Sequence, residues 1–108
     1  MIKKPQFFIN GEWLHRNNRP SLDLINPATE EVEGKLQLGN EVDVDLAVAA
    51  AKQAFPGFSN TSISERLDLL TKIVKAYQRR TKDIGLTISK EMGAPMAFAT
   101  RFQAGAGL

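Results

Sequence analysis

Short apolar runs and short alternating runs of hydrophobic and polar residues occur at the start of the chain, which is the pattern of β-strands rather than of helices. Residues 6–9 and 12–14 are two short apolar runs, and the intervening Asn10-Gly11 dipeptide is typical of a two-residue hairpin turn, since both residues tolerate positive φ. Alternating runs follow at residues 21–25 and 31–38. The pattern therefore predicts three short strand regions, of which the first is a hairpin.

The apolar period changes to that of an α-helix after Asn40. Asn40 is a favourable N-cap, and the acidic residues that follow it suit the positive end of the helix dipole. Pro56 and Gly57 are predicted to end this helix, because proline lacks the backbone donor that a helix interior requires. The apolar stripe of this helix consists of Val44, Val48, Ala51 and Phe55.

A second helix is predicted from Ser62, because Ser62 and Glu65 have the spacing of a capping box. Gly93 is placed to end it in the left-handed region, and Pro95 can open a third helix. The apolar seam of the second helix consists of Leu67, Leu70, Val74, Tyr77, Thr81, Ile84 and Ile88. The third helix is expected to continue through residues 95–108 without a terminating signal, as in the front portion of a longer protein.

These elements predict an α+β fold, with short antiparallel strands in residues 1–39 and two or three helices in residues 40–108. The chain of 108 residues has 43% hydrophobic and 24% charged residues, which is ordinary for a globular domain. It contains no cysteine and one histidine, His15, which excludes disulfides, thiolate metal sites, a cysteine nucleophile and any site with two imidazoles. No secretion signal or membrane span is evident, so a cytoplasmic location is expected.

Candidate chemistry is sparse. The basic face of the second helix could bind phosphates, but it lacks interleaved aromatic residues and the net charge is only +2, so a solvated face without nucleic acid is favoured. Gly105-Ala106-Gly107 could begin a phosphate loop, but its helical context favours packing by small residues. His15 could serve as a base near neutral pH, but a surface histidine in a polar loop is favoured. The residues alone therefore indicate no catalytic constellation.

Several short motifs nevertheless occur in one order, at residues 8–13, 25–32, 43–55, 64–70 and 91–95. Among them are Phe-Ile-Asn-Gly-Glu-Trp in the first and Glu-Met-Gly-Ala-Pro in the last. This series resembles the amino-terminal portion of the aldehyde dehydrogenase superfamily. Ala94 replaces the lysine common in that family, and the Gly93-Ala94-Pro95 version is similar to a bacterial subgroup acting on varied aliphatic or aromatic aldehydes.

The resemblance implies NAD(P)-dependent oxidation of an aldehyde to a carboxylic acid, by a homo-oligomeric enzyme with the α/β aldehyde dehydrogenase fold. In the family, the cysteine nucleophile, the glutamate that activates water, the asparagine that holds the oxyanion and the dinucleotide-binding turn all lie beyond the position of Leu108. No catalytic or cofactor-binding residue can therefore be assigned here. The chain is expected to be the front part of a dinucleotide-binding domain, truncated at residue 108 and inactive without its full-length parent.

Two sites follow from the resemblance. Backbone carbonyls at Leu24 and Ile25, together with the carboxylate of Glu91, match positions that bind a structural monovalent cation, although Glu91 could equally be a solvated residue. The third helix borders the substrate entrance in the family, so Ala106 and Gly107 could leave space for a bulky aldehyde. An alternative function is that of a non-catalytic helical module that self-associates through the seam of the second helix.

Overall fold

The computed structural model describes residues 6–108, and the strands precede the helices along the chain as predicted. The strands are β1 (Phe7–Ile9), β2 (Glu12–Leu14), β3 (Ser21–Ile25) and β4 (Val32–Gln37). The helices are α1 (Glu41–Ser59), α2 (Ile63–Met92) and α3 (Met96–Phe98), and a π-helix (Ala99–Gln103) and a 3₁₀-helix (Gly105–Gly107) follow. Residues 96–107 are called the C-terminal helical segment below.

The described residues form two compact units. The first unit comprises residues 6–24 and Gly34–Thr61 and contains β1, β2 and α1. The second unit comprises Ile25–Glu33 and Ser62–Leu108 and contains α2 and the C-terminal helical segment. The strands β3 and β4 pair as a second two-stranded sheet, and each contributes residues to both units.

The predicted hairpin is confirmed. β1 and β2 pair antiparallel, and Phe8 lies opposite Trp13. Asn10 and Gly11 have φ values of 55° and 79°, which are the positive angles that a type I′ turn requires. The rings of Phe8 and Trp13 lie 5.0 Å apart, so this cross-strand aromatic pair supports the hairpin although Trp13 remains mostly exposed.

Helix α1 begins as predicted but ends later. The Asn40 side chain accepts a hydrogen bond from the backbone N–H of Asp43 and so caps the helix. The prediction that Pro56 ends the helix is wrong, because α1 continues to Ser59. Proline removes only one backbone donor, and the Pro56 carbonyl accepts hydrogen bonds from the side chains of Ser59 and Asn60, both at 3.0 Å.

Both predicted ends of α2 are confirmed. Ser62 and Glu65 form the reciprocal capping box, and Gly93 ends the helix with φ 67° in the left-handed region. The apolar seam divides into two halves. Residues in its first half, such as Leu67 and Leu70, are exposed, whereas Tyr77, Thr81, Ile84 and Ile88 in its second half are partly buried.

The prediction of one continuous helix over residues 95–108 is wrong. The chain changes from α-helix to π-helix at Ala99 and to 3₁₀-helix at Gly105. The π-helical bond runs from the backbone N–H of Ala104 to the carbonyl of Ala99 at 2.8 Å. A π-helix takes an extra residue into its turn, and this changes the direction of every side chain that follows.

The core of the second unit consists of small residues. Ala99 and Ala104 are fully buried, and they are the two apolar residues that reach this state among residues 6–108. Gly85 of α2 lies against Thr100, where an added Cβ would be 2.8 Å from the Thr100 Cα. The backbone of α2 and the backbone of the π-helix therefore approach each other directly, as only glycine permits.

Candidate functional site

Polar side-chain contacts of the described residues occur at separate places along the chain. The sequence has no cysteine, and no group of three or more histidine, aspartate or glutamate side chains within residues 6–108 could hold a metal ion. No helix in that range combines the length and the apolar character that a membrane span requires. Three polar arrangements remain: one around Asp43, one at the end of α2, and one along the C-terminal helical segment.

Asp43 is the buried carboxylate of the first unit, with 5% of its surface exposed. The Arg19 guanidinium donates hydrogen bonds to both of its oxygens, at 2.8 and 3.3 Å. Arg16 forms an ion pair with Asp43 at 3.1 Å, and the backbone N–H of Asn40 donates at 3.0 Å. One carboxylate therefore caps α1 and binds the loop between β2 and β3.

These contacts determine the electrostatics of the cluster. The hydrogen bond from Arg19 lowers the pKa of Asp43, while burial acts in the opposite direction with a smaller effect. The same hydrogen bond raises the pKa of Arg19. Arg16 and Arg19, in the polar loop between β2 and β3, are partly buried against Asp43. Local pattern could not reveal this pairing, because Arg19 and Asp43 are 24 residues apart.

The turn after β3 packs against the end of α2 within the second unit. The Asn26 side chain is buried and accepts a hydrogen bond from the backbone N–H of Ala28 at 2.9 Å. A Cβ at Gly93 would lie 2.9 Å from the Ala28 nitrogen, so the absence of a side chain at Gly93 allows this contact. We call the contact of Asn26 and Ala28 with Gly93 the turn–helix junction.

Two of the predicted cation ligands lie on the segments that meet at the turn–helix junction. Ile25 immediately precedes Asn26, and Glu91 lies two residues before Gly93, with its side chain exposed. Leu24, the third predicted ligand, is partly buried in β3 and belongs to the first unit.

Tyr77 of α2 contacts the end of the C-terminal helical segment. Its hydroxyl donates a hydrogen bond to the Ala104 carbonyl at 2.7 Å. Gly107 lies against the same ring, where an added Cβ would be 2.6 Å from Tyr77 Cζ. The sequence analysis placed Tyr77 on the apolar seam and did not identify the role of its hydroxyl.

Both predicted entrance residues belong to the 3₁₀-helix and are exposed. Gly107 has a structural reason for being small, because a side chain there would collide with Tyr77. Ala106 already carries a methyl group, so a larger side chain at this exposed position would disturb the packing less.

Comparison with protein families gives a match over most of the chain. The sequence profile of the aldehyde dehydrogenase family matches residues 13–106. A Staphylococcus aureus relative (strain bovine RF122 / ET3-1), named as a candidate aldehyde dehydrogenase, is 48% identical over 101 residues. That alignment covers 94% of this chain and 21% of the relative, so the chain spans about a fifth of its length.

Solved structures agree with this match. An aldehyde dehydrogenase from Bartonella henselae superposes with a TM-score of 0.94 and 41% identity, over 99% of this chain and 22% of that protein. A mutant of aldehyde dehydrogenase C from Pseudomonas syringae, in complex with NAD⁺ and octanal, gives a TM-score of 0.89 and 38% identity. The superposition covers 94% of this chain and 21% of the Pseudomonas enzyme.

Acid is expected to destabilise the first unit through Asp43. Because the folded-state pKa of Asp43 lies below its ordinary value of 3.8, its ion pairs stabilise the fold above pH 3.8. This contribution is lost as the pH falls through that value and then through the lower pKa of the folded state. Urea unfolding followed by circular dichroism at a series of pH values measures the loss.

The Asp43→Asn variant should be less stable than the parent at neutral pH and should lose this part of the acid dependence. Asp45→Asn is the matched control, because Asp45 is an exposed carboxylate on the same helix. An Asp43→Asn variant whose stability changes with pH as steeply as that of the control would contradict the assignment.

Proposed function

We propose, since the chain belongs to the aldehyde dehydrogenase family, that it is the amino-terminal scaffold of a protein that oxidises an aldehyde to a carboxylic acid with NAD or NADP. The backbone of this chain agrees with that of an aldehyde dehydrogenase over 99% of the residues of this chain, and this agreement carries the proposal. The neighbour that holds NAD⁺ and octanal supports both the cofactor class and an aldehyde substrate.

The proposed role of this chain is positional. Oxidation by a covalent route needs a nucleophile, and a sequence without cysteine does not supply the thiolate that the family resemblance implies. NAD(P), when bound, would accept the hydride. The Gly105–Gly107 turn does not fit the dinucleotide phosphates, because it is a 3₁₀-helix packed against Tyr77 and not an open glycine-rich loop.

Reduction of NAD or NADP is the direct test of this function. The longest product of the gene should reduce one of these cofactors when it is mixed with straight-chain or aromatic aldehydes, and the 108-residue chain alone should not. Absorbance of the reduced nicotinamide measures both. Turnover by the short chain would contradict its scaffold role, and the absence of turnover by the long product with every aldehyde would contradict the function itself.

We also propose a monovalent cation at the turn–helix junction. The last carbonyls of a helix lack intrahelical partners and carry the negative end of the helix dipole. Glu91 lies in this last turn, and Ile25 adds a backbone carbonyl from the neighbouring segment. Carbonyl and carboxylate oxygens are ligands of hard cations, and a single carboxylate suits a single charge.

Potassium or sodium chloride should therefore raise the thermal midpoint of the chain by a few degrees more than choline chloride at equal ionic strength. The Glu91→Gln variant should lose most of this difference. Asp68→Asn serves as the control, since it removes an exposed carboxylate from the opposite end of the same helix. Equal cation responses of the two variants would contradict the proposed site.

Self-association is a second candidate, favoured by the first half of the α2 seam. Leu67 and Leu70 are 58% and 57% exposed, and apolar surface left in water costs about 25 cal/mol per Å². Burying this stripe against another copy would recover that energy, which supports the proposal of a homo-oligomer.

Light scattering should then show dimers or larger assemblies of the chain at high concentration. Leu70→Lys should shift the population towards monomers, whereas Leu86→Lys, at an exposed position outside the seam, should not. A folded monomer of the parent chain at every concentration would exclude this candidate.

A further inference from the structure

We propose that Tyr77 is a positioning residue, which fixes the C-terminal helical segment and thereby determines how the exposed Ala106 limits aldehyde access. The inference rests on the proposed function and on the substrate entrance that the family resemblance implies at Ala106 and Gly107, because it assumes that the 3₁₀-helix borders the path of the aldehyde. It adds a residue of α2 that lies 29 positions earlier in the sequence than Ala106.

The hydroxyl of Tyr77 reaches the backbone where the segment changes helix type. The Ala104 carbonyl follows the π-helix and precedes the 3₁₀-helix, and Ala104 itself is fully buried. This carbonyl accepts a bond of 3.3 Å from the backbone N–H of Gly107 and a shorter bond of 2.7 Å from Tyr77. Tyr77 therefore supplies the better donor to a buried acceptor.

The ring of Tyr77 holds the same turn by packing. An added Cβ at Gly107 would lie 2.6 Å from Tyr77 Cζ and 3.2 Å from Cε1, so the ring occupies the space that a side chain would need. Tyr77 thus contacts both ends of the turn that carries Ala106. The hydroxyl fixes residue 104, and the ring fixes residue 107.

A second contact prevents the segment from pivoting. Two helical turns further along α2, Gly85 lies against Thr100 of the π-helix, with backbone atoms in direct approach. Residues 99–107 are consequently held at two separate points by one rigid helix. Ala106 is exposed and lies between residues 104 and 107, which Tyr77 contacts, so its methyl group has a defined position. Loss of the Tyr77 hydroxyl removes one of the two points.

Hydrogen exchange tests the contact itself. The Tyr77→Phe variant keeps the ring against Gly107 and removes only the donor to the Ala104 carbonyl. Amides 104, 107 and 108 should then exchange roughly 3- to 10-fold faster, as expected when one hydrogen bond is lost. Thr81→Val is the matched control, because Thr81 lies on the same seam and its hydroxyl bonds within α2 only. Equal exchange in the two variants would overturn the proposal.

The effect of Tyr77 on aldehyde access is tested by the substrate selectivity of the longest product of the gene. In Tyr77→Phe, the ratio of kcat/KM for bulky aldehydes to kcat/KM for small aldehydes should change several-fold, mainly through KM. Ala106→Leu should lower the same ratio by direct obstruction, and Thr81→Val should leave it as in the parent.

These outcomes distinguish the role of Tyr77 from the substrate entrance and from the proposed function on which it rests. A changed ratio in Ala106→Leu with an unchanged ratio in Tyr77→Phe would retain the entrance and overturn the role of Tyr77. An unchanged ratio in both variants would overturn the entrance as well. Absence of aldehyde oxidation by the unmutated protein would overturn the proposed function and, with it, this inference, whatever the exchange rates.

Discussion

Direct approach of two backbones holds the second unit together. α2 and the π-helix meet at Gly85 and Thr100, where even one methyl group would be too close to the opposite main chain. Ala99 and Ala104 are the fully buried apolar residues of the part that the structure describes. The short distance between the backbones nevertheless allows many weak dispersion contacts. Small side chains thus provide the packing that larger ones provide in most cores, by bringing main chains together.

The first unit uses a polar contact for the same purpose. Its helix exposes large apolar residues such as Val44 and Phe55, so apolar burial alone supports it weakly. Asp43 compensates by joining α1 to the loop that carries Arg19, with one oxygen also bonded to the Asn40 backbone. Removing a single partner from such a cluster leaves buried charge or a free donor, and therefore costs more than the loss of one surface ion pair.

Local signals could be predicted from the sequence because their causes lie within a few residues. The Asn10-Gly11 turn, the Ser62 capping box and the Gly93 helix end depend on φ preference or on a side chain that reaches its own backbone. Pro56 misled the prediction because proline disfavours helix interiors without forbidding them. Here α1 continues for three residues past Pro56, and at its end the Pro56 carbonyl accepts hydrogen bonds from the side chains of Ser59 and Asn60.

Contacts between distant residues could not be predicted in this way. Nothing in the periodicity of α2 distinguishes Gly85 as a crossing point or indicates that the hydroxyl of Tyr77 has an acceptor 27 residues away. The π-helix contains Thr100 of the same crossing, and the apolar period gave no signal of this departure from a regular helix over residues 95–108. The cation and entrance residues came from family resemblance, and pattern alone gave no reason to select them.

Three polar side chains with buried contacts form hydrogen bonds with the main chain. Asp43 accepts from the Asn40 N–H, Asn26 accepts from the Ala28 N–H, and the Tyr77 hydroxyl donates to the Ala104 carbonyl. Each is a group that could take part in acid, base or metal chemistry, yet each is bonded to the main chain of its own unit. A side chain bonded in this way stabilises a backbone position. Asp43, Asn26 and Tyr77 therefore fix the geometry of the unit in which each lies.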